Sequence, residues 1–454
     1  MCQRDTSVSV TQYGNVRPVL FALLIAAPLL AQSDEFRVYS DAPRLLLTPQ
    51  RLRLLQRERE RKSPRWQRFD DLASSGAPMP EPGFAGALHY RVTAQVANAK
   101  AAIEWALSDA ATDLRQLALV FDWCGPVMTT AQADRLATKM QRALSANSTG
   151  VKQQNARALA AIALADRLPD HGEAILKPLI EQWWRGDVIK KIQRGENAIP
   201  REQTYALFEF LHAVRDNLKM DLREDAPAYF KELPTDHLVG HYPATFQGPD
   251  NDFRVPVFVR PGEPDVAEST LSRAAELSMV AFDSNAAETQ FVQGWLMQDR
   301  FIMRGPLGAP YEFLWANPYQ PGLSYYQEPL VYHDSTTGHV FARTSWDEDA
   351  TWLGYFSGRL QLFRDGQIQT LKAGAATAPV HVGDAELVSA TSIDAFQFKA
   401  DSQAVFILNL KPGSAYDVEI DDEELSEEVT DVGGTMVLQL SEGVAAGVRL
   451  RRRE

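Results

Sequence analysis

The apolar residues of this 454-residue chain change their spacing once, at a connector rich in Pro, Tyr and Gly, ANPYQPGLSYYQEP. Before it, from Ala42 to about Tyr326, they recur every three or four residues, the spacing that lines one face of an α-helix. VTAQVANAKAAIEWAL, DLRQLALVFDWC, TTAQADRLATKMQRAL, QNARALAAIALADRL, GEAILKPLIEQWW and QTYALFEFLHAVRDNL carry that spacing, joined by short polar breaks. Thr48-Pro49 supplies an N-cap and first-turn pair for the first helix. After the connector the period falls to two. HVFART, TWLGYFSG, LQLFR, QIQTLK, AFQFKA, AVFILNL, YDVEI, TMVLQL and AGVRLRR read as short strands, with Asp365-Gly366 as a two-residue hairpin turn. Helices first and strands afterwards predict an α+β chain: a helical domain over 32–330 and an antiparallel β-sandwich over 331–454. The helices show no fixed repeat signature, so antiparallel pairs closing into a ring suit them better than a tetratricopeptide array.

The N-terminus speaks to compartment. Arg4 and Arg17 precede an apolar run from Val19 to Ala31, the length of a signal-peptide core and short for a bilayer span. Residues 1–31 are therefore read as a signal peptide, with a retained anchor as the alternative, and the mature chain as periplasmic or secreted and free of the membrane. Past that leader only Cys124 remains, which excludes an internal disulfide and a Cys-rich zinc site. Lys+Arg 46 against Asp+Glu 59 gives a net charge of −13, which opposes generic electrostatic binding to nucleic acid. No GxSxG elbow, Walker loop, dinucleotide fingerprint or CxxC pair is present, so hydrolase, nucleotide and redox readings lack support. No cofactor or metal is expected.

Three stretches carry a likeness. PRLLLTPQRLRLLQ, ALVFDWCGPVMTTAQADRLATKMQRAL and GHVFARTSWDEDATWLGYFSG resemble, in that order, segments of the heparinase II/III-like polysaccharide lyases. The resemblance implies an (α/α) toroid followed by a β-sandwich, and a protein that binds an acidic polysaccharide or oligosaccharide and cleaves it by β-elimination. Removal of a uronate C5 proton requires a donor that neutralises the carboxylate and a Tyr or His that carries protons. QQNARALAAIALAD resembles the helix bearing the family's Asn, making Asn155 the candidate donor; local capping is the plainer role. PREQTYALFEFLHAV resembles the helix bearing its Tyr, making Tyr205 the candidate base or acid; a core-edge tyrosine is the alternative. His212, seven residues on, lies on nearly the same helix face and could assist, or be a buried, satisfied histidine. On this reading Asn155 and Tyr205 converge in a groove facing the β-domain.

One departure weighs against activity. Where the family continues with a His-containing segment, this chain reads GRLQLFRDGQIQ, and Gln361 stands near the position of an imidazole. A non-catalytic glycan-binding or structural protein on the same scaffold is therefore the second expectation. Trp183, Trp184 and Trp315 are candidate sugar-stacking residues, and His237 and His241, in PTDHLVGHYPATF, candidates for the cleft wall. Their i, i+4 spacing could serve a metal only in a helix, which Gly240 and Pro243 oppose. DVEIDDEELSEEVTD lacks the calcium-loop order and reads as a solvated acidic hairpin. The opposite charge gathers at Arg44–Arg68, which holds nine Lys/Arg and could attract an acidic glycan, an ordinary solvated helix face being the plainer role.

Overall fold

Proline and small polar caps start the first two helices where the sequence pattern asks for them. In the computed structural model Thr48 accepts from the Arg51 amide to open α1 (Pro49–Glu60), and Ser63 does the same for α2 (Pro64–Ser74). There follow α3 (Pro82–Thr93), α4 (Val96–Leu107), α5 (Leu114–Cys124), α6 (Thr130–Leu144), α7 (Val151–Ala163), α8 (Ile189–Gln193), α9 (Thr204–Leu218) and α10 (Pro227–Val239). A two-stranded hairpin, β1 (His241–Gln247) and β2 (Asp252–Pro256), precedes α11 (Val266–Phe282), α12 (Ala287–Gln298) and α13 (Gly305–Trp315). The structure describes residues 36–145, 149–247, 252–258, 265–298, 303–371, 379–382, 385–400, 402–422, 424–440 and 445–453; the expected leader lies outside them.

Two stretches depart from expectation. GEAILKPLIEQWW winds as a wider π-helix over Gly172–Leu176 and Pro178–Val188; Pro178 has no N–H for an ordinary i→i−4 bond. PTDHLVGHYPATF is part helix and part strand, because Gly240 ends α10 and His241 opens β1.

Alternate helices pack in sequence: α3 on α5, α5 on α7, α7 on α9, α9 on α11, α11 on α13, and α13 back on α2. Two of the sequence segments singled out above meet in a clasp. The Asp122 carboxylate on α5 takes the Arg44 and Leu45 amides at 2.8–2.9 Å, and the Trp123 indole donates to the Leu45 carbonyl at 2.9 Å. PRLLL is thus fastened to FDWC.

Beyond the connector all the strands expected from alternation form, and four more join them. The first sheet runs β3 (Val331–Asp334), β4 (His339–Arg343), β5 (Trp352–Phe356), β6 (Arg359–Arg364), β7 (Gln367–Leu371), every pair antiparallel. Asp365 and Gly366, both at positive φ, make the β6–β7 turn. The second has the order β14-β11-β9-β8, from β8 (Val380–Val382), β9 (Ala385–Ser389), β11 (Ala404–Leu408) and β14 (Met436–Gln439). The third has the order β10-β15-β12-β13, from β10 (Ala395–Ala400), β12 (Ala415–Ile420), β13 (Glu424–Val429) and β15 (Ala446–Arg452).

Alternation along each strand explains how these sheets stack. Val340 and Ala342 of β4 pack with Leu387 of β9 and Phe406 of β11, joining the first sheet to the second. Val405 and Ile407 of β11 point the other way, onto Tyr416, Val418 and Val448 of the third. Phe341, Trp352, Phe356 and Phe363 face the helical half, against Val239, Tyr242 and Val255. The β-region is therefore three stacked sheets rather than one two-sheet sandwich, and the β9–β11 pair is parallel. The middle sheet is covered on both sides.

Candidate functional site

Asn155 and Tyr205 do come together, on a single carboxylate. Tyr205 and Glu209 lie four residues apart on α9, and Glu209 is fully buried. Its two oxygens receive Arg115 Nε and Nη2, each at 2.7 Å, Asn155 Nδ2 at 2.9 Å and the Tyr205 hydroxyl at 2.6 Å. Arg115 also reaches Glu81 at 3.0 Å, the carboxylate that takes the Tyr311 hydroxyl. Trp315 Nε1 donates to the Tyr205 oxygen at 3.1 Å. Residues beside or within α3, α5, α7, α9 and α13 thus converge on one ion pair, whose burial is offset by its full set of hydrogen bonds. Burial, followed by the Glu209 charge, holds the Tyr205 phenol well above its ordinary range. Neither Asn155 nor Tyr205 lines the groove described below.

The other candidates divide by place. His212 is fully buried, donates from Nε2 to the Ser278 carbonyl and accepts the Arg215 guanidinium on Nδ1. Burial, with Arg51 and Arg215 adding to it, holds His212 well below its ordinary range, so it stays neutral. Trp184 is fully buried and donates to Asp225, and Trp183 packs against it and Phe210. Trp315 is 3% exposed, with the Arg51 guanidinium lying 4.0 Å over its ring. None of these three indoles has a face laid open for a sugar.

His237 and His241 lie beside a groove between the helical half and the first sheet. This groove encloses about 500 Å³ and is lined by α10, the N-terminal part of α11, the segment before α9, and β4 and β5 with their turns. Arg201 donates to the Ser272 hydroxyl at 3.0 Å and the His237 carbonyl at 2.7 Å, and lies 3.3 Å from Glu276. Its Nη1 makes no hydrogen bond among the described residues. His241 Nε2 is 3.3 Å from Glu276, and His237 Nδ1 is 3.6 Å away. Burial pushes Glu276 up to about 7 and holds both histidines well below their ordinary range, the nearby Arg201 adding to the latter. His237 Nδ1 and Glu276 Oε2 make no hydrogen bond among the described residues, and among those residues no group of three His, Cys, Asp or Glu is arranged to hold a metal.

The residue that alternation hid is His339. It opens β4, on the face shared with Phe341 and Arg343, and that face turns toward the helices. Its Nδ1 binds Asp236 of α10 at 2.8 Å, and the side chain is 22% exposed in the groove. Burial alone would lower its proton affinity; the charge and hydrogen bond of Asp236, with Asp334 behind, outweigh burial and raise it. Tyr229 lines the same groove, its phenol raised by burial and then by Asp236. Gln361, on β6 two strands away, is fully engaged, accepting from the Tyr242 hydroxyl at 2.7 Å and donating to the Phe258 carbonyl at 2.9 Å. The β-region therefore sends an imidazole to the helical half from β4, not from β6.

No protein-family model and no curated protein matches the chain. Among the described residues no helix is long and apolar enough to cross a membrane.

Proposed function

We propose that this is an exported protein that binds a uronate-containing glycan in the groove and cleaves it by β-elimination. The observation that carries the reading is the His339–Asp236 pair, which joins the two halves inside the cavity. With Nδ1–H donated to Asp236, a neutral His339 presents Nε2 as a base of raised strength. Arg201 offers the cation that a uronate carboxylate needs while charge develops at C5. The C5–H bond breaks toward Nε2, the C4–C5 double bond forms, and the C4–O4 bond breaks. The imidazolium then returns its proton to the leaving O4. The packing order of alternate helices, closing from α13 onto α2, supports an (α/α) toroid as the frame.

A second reading, glycan binding without turnover, is favoured by the hydrogen bonds that tie Asn155 Nδ2 and the Tyr205 hydroxyl to Glu209. Incubation with alginate, heparan sulfate, hyaluronan and pectin, followed by the absorbance of unsaturated uronate ends, tests both. Elimination that His339→Asn abolishes while binding persists supports the first reading. Binding without elimination in the wild type leaves the second, and neither activity on any of the four sinks both. Cell fractionation tests export: unprocessed chain in the cytoplasm would count against it.

A further inference from the structure

Nine Lys and Arg side chains lie between Arg44 and Arg68, and the fold disposes of them unequally. Arg44 pairs with Asp166, Arg65 with Glu58 and Arg68 with Glu312. Arg61 donates to the Tyr319 hydroxyl and Arg59 to the Val92 carbonyl. Arg51, Arg53 and Arg57 line a second cavity, of about 850 Å³, and none has a carboxylate partner among the described residues. The cavity lies far from the groove: α9 runs from Thr204, which lines the groove, to Arg215, which lines the cavity, a rise of about 16 Å.

Its chemistry is one-sided. Among the described residues of its wall Asp216 is the sole acid, and it is already paired with Arg215 at 3.3 Å. The Arg51 guanidinium lies 4.0 Å over the Trp315 ring and makes one hydrogen bond among the described residues, to the Leu46 carbonyl at 3.3 Å. Burial pulls Arg51 down to about 10 against the attraction of Asp216, the mark of a guanidinium short of counter-charge. Gln293 adds a buried amide whose Oε1 has no partner among the described residues, beside Asn317 and Gln320. The arginines line a concavity rather than a flat stripe, and the chain as a whole is acidic, which fits a small ligand better than a nucleic-acid backbone.

We propose that this cavity binds an oxyanion (sulfate, phosphate or carboxylate) borne by a small polyhydroxylated molecule, with Arg51, Arg53 and Arg57 as its ligands. Arg51, pre-set on the indole, takes two oxygens in its fork; Arg53 and Arg57, one helical turn apart, close over the remainder. The site does not depend on chemistry in the groove.

Titration calorimetry of the full chain with inorganic sulfate, inorganic phosphate, glucuronate and a hexose sulfate tests it. Saturable one-to-one binding is expected, weakening with added salt. Affinity should fall at least about tenfold in Arg51→Gln and in the double variant Arg53→Gln/Arg57→Gln, and stay unchanged in His339→Asn. The double variant alters exposed side chains, so it remains informative if Arg51→Gln fails to fold. Tighter binding of the sugar anions assigns the site to a glycan end or metabolite; equal binding of the inorganic ions assigns it to free oxyanion. No saturable binding of any probe to the wild type overturns the proposal, as does wild-type affinity in the double variant.

Discussion

Replacing Tyr205 by Phe removes one oxygen from the centre of the helical half and separates a scaffold role from a catalytic one. That oxygen donates to Glu209 at 2.6 Å and accepts from the Trp315 indole at 3.1 Å. A hydrogen bond to a charged acceptor contributes about 1.5–3 kcal/mol, and a buried N–H left without a partner costs about 1–3 kcal/mol. Arg115 and Asn155 still cover Glu209 in the variant, so the expected destabilisation is about 2–4 kcal/mol. Residues 36–454 form one compact unit. At about 2.1 cal/mol/K per residue its unfolding entropy is roughly 0.9 kcal/mol/K, so the melting temperature should fall by ~2–5 °C. Calorimetric melts of both proteins at pH 7 read this directly. The same preparations, assayed on the four polysaccharides, should retain whatever elimination the wild type performs, because the phenol lies outside the groove. A variant that melts with the wild type yet loses all elimination would refute this reasoning and make Tyr205 the proton carrier.

Other perturbations probe different parts. Burial pushes Glu276 up from 4.5 to about 7, so the folded chain holds that proton more tightly than the unfolded chain. The stability this contributes is complete below about pH 4.5 and is lost as pH rises through about 7. In Glu276→Gln the stability difference from wild type should therefore climb across that window by up to ~3 kcal/mol and then level off. His237 and His241, depressed and acting in the opposite sense, cancel in the difference; denaturant titrations giving a flat difference would rule out the buried-acid account. Gly338→Ala places a methyl at φ +74° and against the Gly433 Cα, beside the groove. A loss of about 1–3 kcal/mol is expected in the same titrations, and an unchanged midpoint would mean that these backbones do not pass so closely.

The fold was legible where periodicity is a property of neighbours. Thr48-Pro49, the amphipathic helices and the Asp365-Gly366 turn all report local preferences, and the structure uses them as read. What escaped was set by distant partners. Nothing local to Glu209 in PREQTYALFEFLHAV signals burial; that depends on Arg115, 94 residues earlier. WLGYF and AVFIL, apolar at successive positions, carried the sign of strands covered on both faces, and hence of three sheets rather than two. His339 stood in plain view as the first residue of a strand. Only the register with Phe341 shows that it faces the helices, and only α10 brings Asp236 to it.

The strand order of the outermost sheet has a consequence for how the chain matures. β15, the last strand, lies between β10 and β12 and pairs with both. During synthesis, β10 must wait without its sheet partner until residues 446–452 have cleared the ribosome, while the β12–β13 hairpin can close locally. Val448 and Leu450, which complete the cover on the apolar face of the middle sheet, are missing for the same interval. Ribosome-bound chains halted before residue 446 should therefore engage holding chaperones at this face, and release should coincide with the emergence of β15.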